Sequence, residues 1–415
     1  MLHKETEFQE SAIGKVPIDW DVRELGDDSI AYLIAGQSPP SSTYNKENRG
    51  LPFLQGKMEF GEIFPSPTTH CSEPIKVAEK DDILLSVRAP VGDVNIAPFK
   101  CCIGRGLAAI RPKADRLNHL FLFHYLKLEG KRFEALSTGS TFKAIRRQEI
   151  EKFAVPVPSL VEQRGIVGVL GVVDSAILKV DEVIAMTERL KKGLMQQLLT
   201  RGIGHKEYKD TPIGKTPKTW QIAKLGEALE LCQYGLSSRF GETGKYPILK
   251  MDDIVNGVAI PDNAKYIDLD EKTFNAFKLE KGDILFNRTN SYELVGRTGI
   301  FLLDGDYVFA SYLIRLRPRK EIVDSRFLTF YITFSNDRLR QLATRAVHQA
   351  NINATNLQNF KIPLPPLSEQ QKIEGFISEV DKKLILETRE KAKLERIKRG
   401  LMDLLLTGKV RVKVD

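Results

Sequence analysis

Two stripes of apolar residues at helical period stand out from a background of shorter, mixed segments. The first places apolar side chains at Ile166, Leu170, Val173, Ile177, Val180 and Ile184, with gaps alternating four and three, which is the seam of a coiled coil. The second runs through Ile373, Ile377, Val380 and Leu384, breaks at a polar middle around Glu387 to Lys391, and resumes at Leu394, Ile397, Leu401 and Leu404. Ser159 with Glu162, and Ser368 with Gln371, have capping-box spacing directly after Pro156-Val-Pro158 and Pro363-Leu-Pro-Pro366, and the prolines stop any earlier helix. Each helix is expected to run roughly 40 residues, about 60 Å. One small domain cannot cover a helix that long, so the two are expected to pair as an antiparallel coiled coil.

The segments before each stripe are strand-rich and irregular. Asp82-Ile-Leu-Leu-Ser86 and Gly282-Asp283-Ile-Leu-Phe286 have the pattern of short buried strands entered from a polar turn, whereas 116–126 and 325–332 have helical periodicity. These are α+β domains, and they are copies of one another. Ile13-Gly14-Lys15-Val16-Pro17-Ile18-Asp19-Trp20 and Ile213-Gly214-Lys215-Thr216-Pro217-Lys218-Thr219-Trp220 share the pattern IGKxPxxW and hold both tryptophans of the chain. The match returns as 153–160 against 360–367, so the numbering offset grows from 200 to 207 and the second copy carries seven extra residues. The expected organisation is a globular domain over 1–158, a helix over 159–202, a second domain over 203–365, and a helix with its tail over 366–415. Two copies imply pseudo-two-fold symmetry, suited to reading a partner with similar geometry.

Composition narrows the class. With 42% apolar and 28% charged residues, the chain is expected to be globular throughout. It has no apolar run long enough for a membrane span, and its first residues lack the plan of a signal peptide, which leads us to expect a cytoplasmic protein. Cys71, Cys101, Cys102 and Cys232 have no metal-binding or disulfide-framework spacing and are read as reduced structural thiols. A net charge of +8 favours a polyanionic partner. Residues 391–415 hold much of that charge, but cations near a helix C-terminus also answer the helix dipole.

Taken in order, two variable α+β domains opened by IGKxPxxW, a PxPxL boundary after each, and long helices ending in Leu198-Leu-Thr-Arg-Gly202 and Leu405-Leu-Thr-Gly408 resemble the specificity subunit of type I restriction–modification enzymes. The resemblance covers nearly the whole chain. It implies a non-catalytic DNA-binding subunit with two target recognition domains, each reading half of a split double-stranded DNA site, and helices acting as a ruler for the unread spacer. It also implies docking of two methyltransferase subunits that use S-adenosylmethionine and, through them, restriction subunits that use ATP. No cofactor is expected on this chain itself.

DNA contacts need donors for phosphates and paired donors or acceptors for base edges. In the first domain these are sought in the loop containing Ser140, Thr141, Lys143, Arg146 and Arg147, and after the central strand at Ser86, Arg88 and Asn95. In the second they are sought at Asn287, Arg288, Asn290 and Arg297, and in the loop with Arg345, His348, Gln349, Asn351 and Asn353. Gln37, Ser38 and Tyr44, with Tyr234, Ser237, Ser238 and Arg239, form a further set. Aligning Phe153 with Phe360 sets the two loops at one position with different chemistry, as two different half-sites require.

Motifs for catalysis are missing from the sequence. Gly241-Glu-Thr-Gly-Lys245 lacks the glycine and hydroxyl residue of a phosphate loop, neither Pro-Pro pair completes an Asn-Pro-Pro-Tyr motif, and the six histidines have no HxH or HExxH spacing. A self-contained DNA-modifying enzyme is therefore disfavoured. A protein-only scaffold, or an inactive relative of the specificity subunit, remains the alternative.

Overall fold

The computed structural model describes residues 2–137, 144–345 and 349–412. They fall into two compact units, Met1–Asp181 with Arg389–Asp415, and Glu182–Thr388. The long helices, Leu160–Arg201 and Leu367–Leu406, are divided between the units rather than forming one of their own.

In the first unit the central antiparallel sheet has the order Val94–Ile96, Ile83–Ser86, Leu107–Pro112, Ala31–Ala35. Ile83–Ser86 is buried on both faces, which its unbroken apolar run requires. Asp82, at its start, accepts both arms of Arg111 at 2.9 Å. A second sheet contains Leu51–Leu54 running parallel to Cys101–Ile103 and antiparallel to Thr69–Cys71. Burial raises the Cys101 thiol to about 12 and the Cys102 thiol to about 11, so both stay protonated at neutral pH.

The second unit repeats the four-strand order of the central sheet and extends that sheet to six strands with Val258–Ala259 and Ile254–Val255. Thr298–Phe301, Ile284–Asn287, Leu313–Pro318 and Leu229–Tyr234 follow in the same order, Asp283 takes the fork of Arg317 at 2.7 and 2.8 Å, and Tyr246–Leu249 runs parallel to Val308–Phe309. The duplication seen in the sequence is thus a duplication of topology. Helix Glu271–Phe277, capped by Asp270, lies between Lys265–Ile267 and Ile284–Asn287, where the first copy has only the short strand Val77–Ala78.

Each long helix begins on a buried anchor. Trp20, 2% exposed, donates its indole N–H to Glu162 at 3.0 Å, and Trp220, fully buried, donates to Glu369 at 3.1 Å. The next residue is a glutamine with no exposed surface in either copy. Gln163 accepts from the Asn118 N–H (2.7 Å) and donates to the carbonyls of Arg116 and Pro158; Gln370 accepts from the Asp324 N–H (2.9 Å) and donates to those of Ile322 and Pro365. Both anchors are completed by a basic side chain following the other helix. Arg411 bonds Glu162, Asp19 and Glu5 in the first unit, and His205 bonds Glu369 at 2.8 Å in the second. Gly202 and Gly408, which end the helices, have φ of +66° and +71°, and a Cβ on either would collide with the anchor tryptophan or a neighbour.

The expected capping boxes are corrected here. Ser159 does accept the Glu162 N–H, at 3.3 Å, but the Glu162 carboxylate is turned away to Trp20 and Arg411. In the second copy the helix starts at Leu367, which puts Ser368 inside the first turn, where it cannot cap.

Along the expected seam, Ile166, Leu170, Ile373 and Ile377 are buried, while Val173, Ile177, Val180, Ile184, Val380, Leu384, Leu394 and Leu401 are half-buried. Leu404, 39% exposed, and Ile397, 44% exposed, depart from the pattern. The inward position belongs to Lys398, which pairs with Asp174; Lys391 pairs with Asp181 at 2.7 Å in the same unit, and Lys191 with Asp381 at 2.5 Å in the other.

Two predictions follow from these contacts. Replacing Gln163 or Gln370 with leucine strands one N–H and two carbonyls in a dry site, and each change is expected to lower stability by on the order of 3 kcal/mol in denaturant titrations. The same change at exposed Gln371 should stay within about 0.5 kcal/mol. The second concerns His124, which is 4% exposed and 3.8 Å from Asp174, whose charge Lys398 already compensates. Burial therefore outweighs the carboxylate and pushes the imidazole down to about 4. As pH falls, the unfolded chain takes up this proton near pH 6.5 but the folded chain holds out to about 4, so stability is full above that window and is lost through it. Unfolding free energies from urea titrations between pH 7 and pH 4 should fall more steeply for the native chain than for His124→Leu, by up to about 3 kcal/mol; parallel profiles would contradict this.

Candidate nucleic-acid interface

Where the central strand leaves each sheet, the chain passes beside the loop that precedes the last short helix of the domain. In the second unit, Thr289–Asn290 pairs with Ala350–Asn351, which pairs in turn with Thr344–Arg345. In the first unit the same crossing is made by a bridge between Arg88 and Ala144. The two groups of candidates that lie far apart in sequence therefore meet in both units.

The backbone frame at this crossing is the same in the two copies. Val87 N–H bonds Gly106 O as Arg288 N–H bonds Tyr312 O; Ile145 N–H bonds Val87 O as Ile352 N–H bonds Arg288 O; Gly36 N–H bonds Leu107 O as Gly235 N–H bonds Leu313 O. These bonds match Ala35 with Tyr234, Val87 with Arg288, Arg88 with Thr289, Gly106 with Tyr312, and Ala144 with Asn351. The side chains on the frame differ almost completely.

On the second frame the side chains form a connected polar set. The Arg288 guanidinium lies over the Tyr234 ring, 4.6 Å from its centroid, and reaches Ser311 O at 3.3 Å and Asn351 Oδ1 at 3.4 Å. The Asn351 amide nitrogen donates to Thr289 Oγ1 at 2.7 Å, and the Tyr234 hydroxyl accepts the Ala354 N–H at 2.8 Å. Tyr234 and Tyr312 are 41% and 42% exposed. Such a set offers a planar cationic fork, an amide and two exposed rings, the groups that recognise base edges and base faces. Thr289 and Tyr312 escaped the sequence reading. Only aligning the copies by their backbone bonds, rather than by residue type, brings them forward.

The remaining candidates divide by burial. Arg88, Arg146, Arg297 and Gln349 are exposed, and Asn290 is half-buried with its oxygen accepting the Ser291 N–H. Arg147 is engaged by Glu151 at 2.6 Å, and Asn353 caps helix Ala354–Gln358 through the Asn356 N–H. Arg345 enters through its backbone strand. Ser140, Thr141, Lys143 and His348 lie outside the described residues.

Three candidates are corrected. Ser86 is fully buried and bonds Pro90 O and the Asp93 N–H; Asn95, 1% exposed, bonds both backbone groups of Gly61; Asn287 is fully buried at the end of its strand. Each polar residue next to an apolar run sits inside the sheet and not on the loop beyond it. Among the described residues, no group of three or more His, Cys, Asp or Glu side chains could hold a metal.

A duplicated α+β domain that carries two different sets of side chains on one backbone frame has the organisation of a paired recognition protein. The family model of the type I restriction modification DNA specificity domain matches residues 17–184 and 217–396, and the chain belongs to that family. It is 48% identical to the putative MjaX specificity subunit of Methanocaldococcus jannaschii over 193 residues, which is 46% of this chain and 45% of that relative. The similarity to the MjaVIII specificity subunit of the same organism is 28% over 99% of this chain and 98% of the relative. The EcoKI specificity subunit of Escherichia coli is 24% identical over 87% of this chain and 82% of its own. In fold, the chain is similar to the S subunit of a type I system from M. genitalium, with a TM-score of 0.57, 17% identity and coverage of 96% and 97%. A chain from a structure describing complex assembly of the type I system gives 0.59, 19% identity and coverage of 95% and 99%.

Proposed function

We propose that this chain is the non-catalytic DNA-recognition subunit of a type I restriction–modification complex, each unit reading one half of a bipartite duplex site. The observation that carries the reading is the shared frame with exchanged side chains, because two different half-sites call for one way of presenting residues and two sets of residues to present. The relatives named as specificity subunits over nearly the full length support it, as does the net charge of +8.

On this reading the long helices pair antiparallel and set the spacer. The ion pairs Asp174–Lys398 and Asp181–Lys391 within one unit, and Lys191–Asp381 within the other, support that pairing, since the numbers rise on one helix as they fall on the other. The helices also dock two methyltransferase subunits, which carry S-adenosylmethionine, and through them restriction subunits that consume ATP. Methyl transfer and cleavage are the partners' work. The complex acts in the cytoplasm; among the described residues no helix is long and apolar enough to cross a membrane.

Base-resolution methylation sequencing of a host expressing the partner methyltransferase with and without this chain tests the proposal. A split motif that appears only with the chain is the expected result. Unchanged methylation despite a demonstrated complex would contradict it and favour a scaffold or an inactive relative.

A further inference from the structure

The two frames differ in a way that assigns specificity to particular side chains. At the positions matched by backbone bonds, the first unit carries Ala35, Val87, Gly106 and Ala144, which are small or apolar, and its one long polar group is Arg88. The second unit carries Tyr234, Arg288, Tyr312 and Asn351, and sets Thr289 where the first has Arg88. Each frame thus presents one arginine, from adjacent positions whose side chains leave an extended chain on opposite sides. A single arginine moved by one residue on a constant backbone changes which base step the guanidinium can reach without disturbing the fold.

The arginine of the second frame is oriented but not saturated. The Tyr234 ring fixes the plane of the guanidinium, while its two hydrogen bonds, at 3.3 and 3.4 Å, lie at the long end of the range, and Nε is buried with no partner among the described residues. Weakly held donors in a fixed plane can exchange their present acceptors for the two acceptors that guanine offers in the major groove. Asn351, tied to Thr289 on one side, holds the far arm in register.

We propose that Arg288 reads a guanine in the second half-site, with Tyr234 and Asn351 as positioning residues, and that Arg88 fills the corresponding role in the first. This rests on the recognition-subunit reading above and deepens it.

The test uses the full chain assembled with its methyltransferase partner, with motifs read by methylation sequencing for the native chain, Arg288→Lys, Arg288→Ala and Arg88→Lys. Lysine keeps the charge and loses the fork, so it separates base reading from phosphate attraction, and it removes less of the side chain than alanine does. Arg288→Lys is expected to relax one G·C position of the second half-site by about ten-fold or more, leaving the first half-site intact. Arg88→Lys is expected to do the reverse. A uniform fall in methylation with every base preference retained would make these residues phosphate contacts and overturn the inference, as would relaxation spread over both half-sites. A native chain that gives no split motif at all would instead remove the reading on which the inference stands.

Discussion

At the start of each long helix a buried tryptophan gives its indole N–H to a first-turn glutamate, and the neighbouring glutamine is locked to three backbone groups of the domain beside it. A hydrogen bond to a buried carboxylate contributes about 1.5–3 kcal/mol, and a stranded partner costs as much again, so the helix has one seat and one rotational phase on its domain. Every property ascribed to the helices depends on that seat, because a rod that could roll or slide on its domain would carry no information about distance.

The anchor has the same geometry in both units but a different basic residue. Arg411, a permanent charge, bridges Glu162, Asp19 and Glu5, and the side-chain bonds to these carboxylates raise its own affinity for the proton further. His205 makes a single bond to Glu369. In both cases the basic residue follows the helix that ends at the domain and the carboxylate belongs to the helix that starts there, so one contact holds the two helices and the domain together. The division of labour that results is simple. The anchor and the order of the four central strands are common to both copies, while the side chains at the crossing beside the central strand differ.

Much of this was legible in the sequence, for identifiable reasons. The repeat announced itself because IGKxPxxW builds the anchor, and the helices because their apolar period is long and regular. Errors arose where a partner lies far away along the chain. Glu162 looked like a cap residue because its serine is three positions away, whereas Trp20 is 142 positions away. Ile397 looked like a seam residue by type, but Lys398 takes the inward position to meet Asp174. Ser86, Asn95 and Asn287 looked like loop donors because polar residues flank strands, yet these polar strand positions are themselves buried in the sheets. The Glu-Gln pair after each PxP boundary was a readable signal that went unused, since residues 160–163 and 367–370 repeat it at the same offset as the boundary itself.

If the anchors fix each domain to its helix, the length of the helices is a quantity that DNA sequence can report. The direct measurement is the methylated motif of a chain in which both long helices are extended by one turn in their middle, away from the anchors. A turn adds about 5.4 Å, or one to two steps of a duplex rising about 3.4 Å per base pair. The account predicts both half-sites unchanged and the spacer between them longer by one or two base pairs. An unchanged spacer, or half-sites that change with it, would contradict the claim that the seated helices are the ruler.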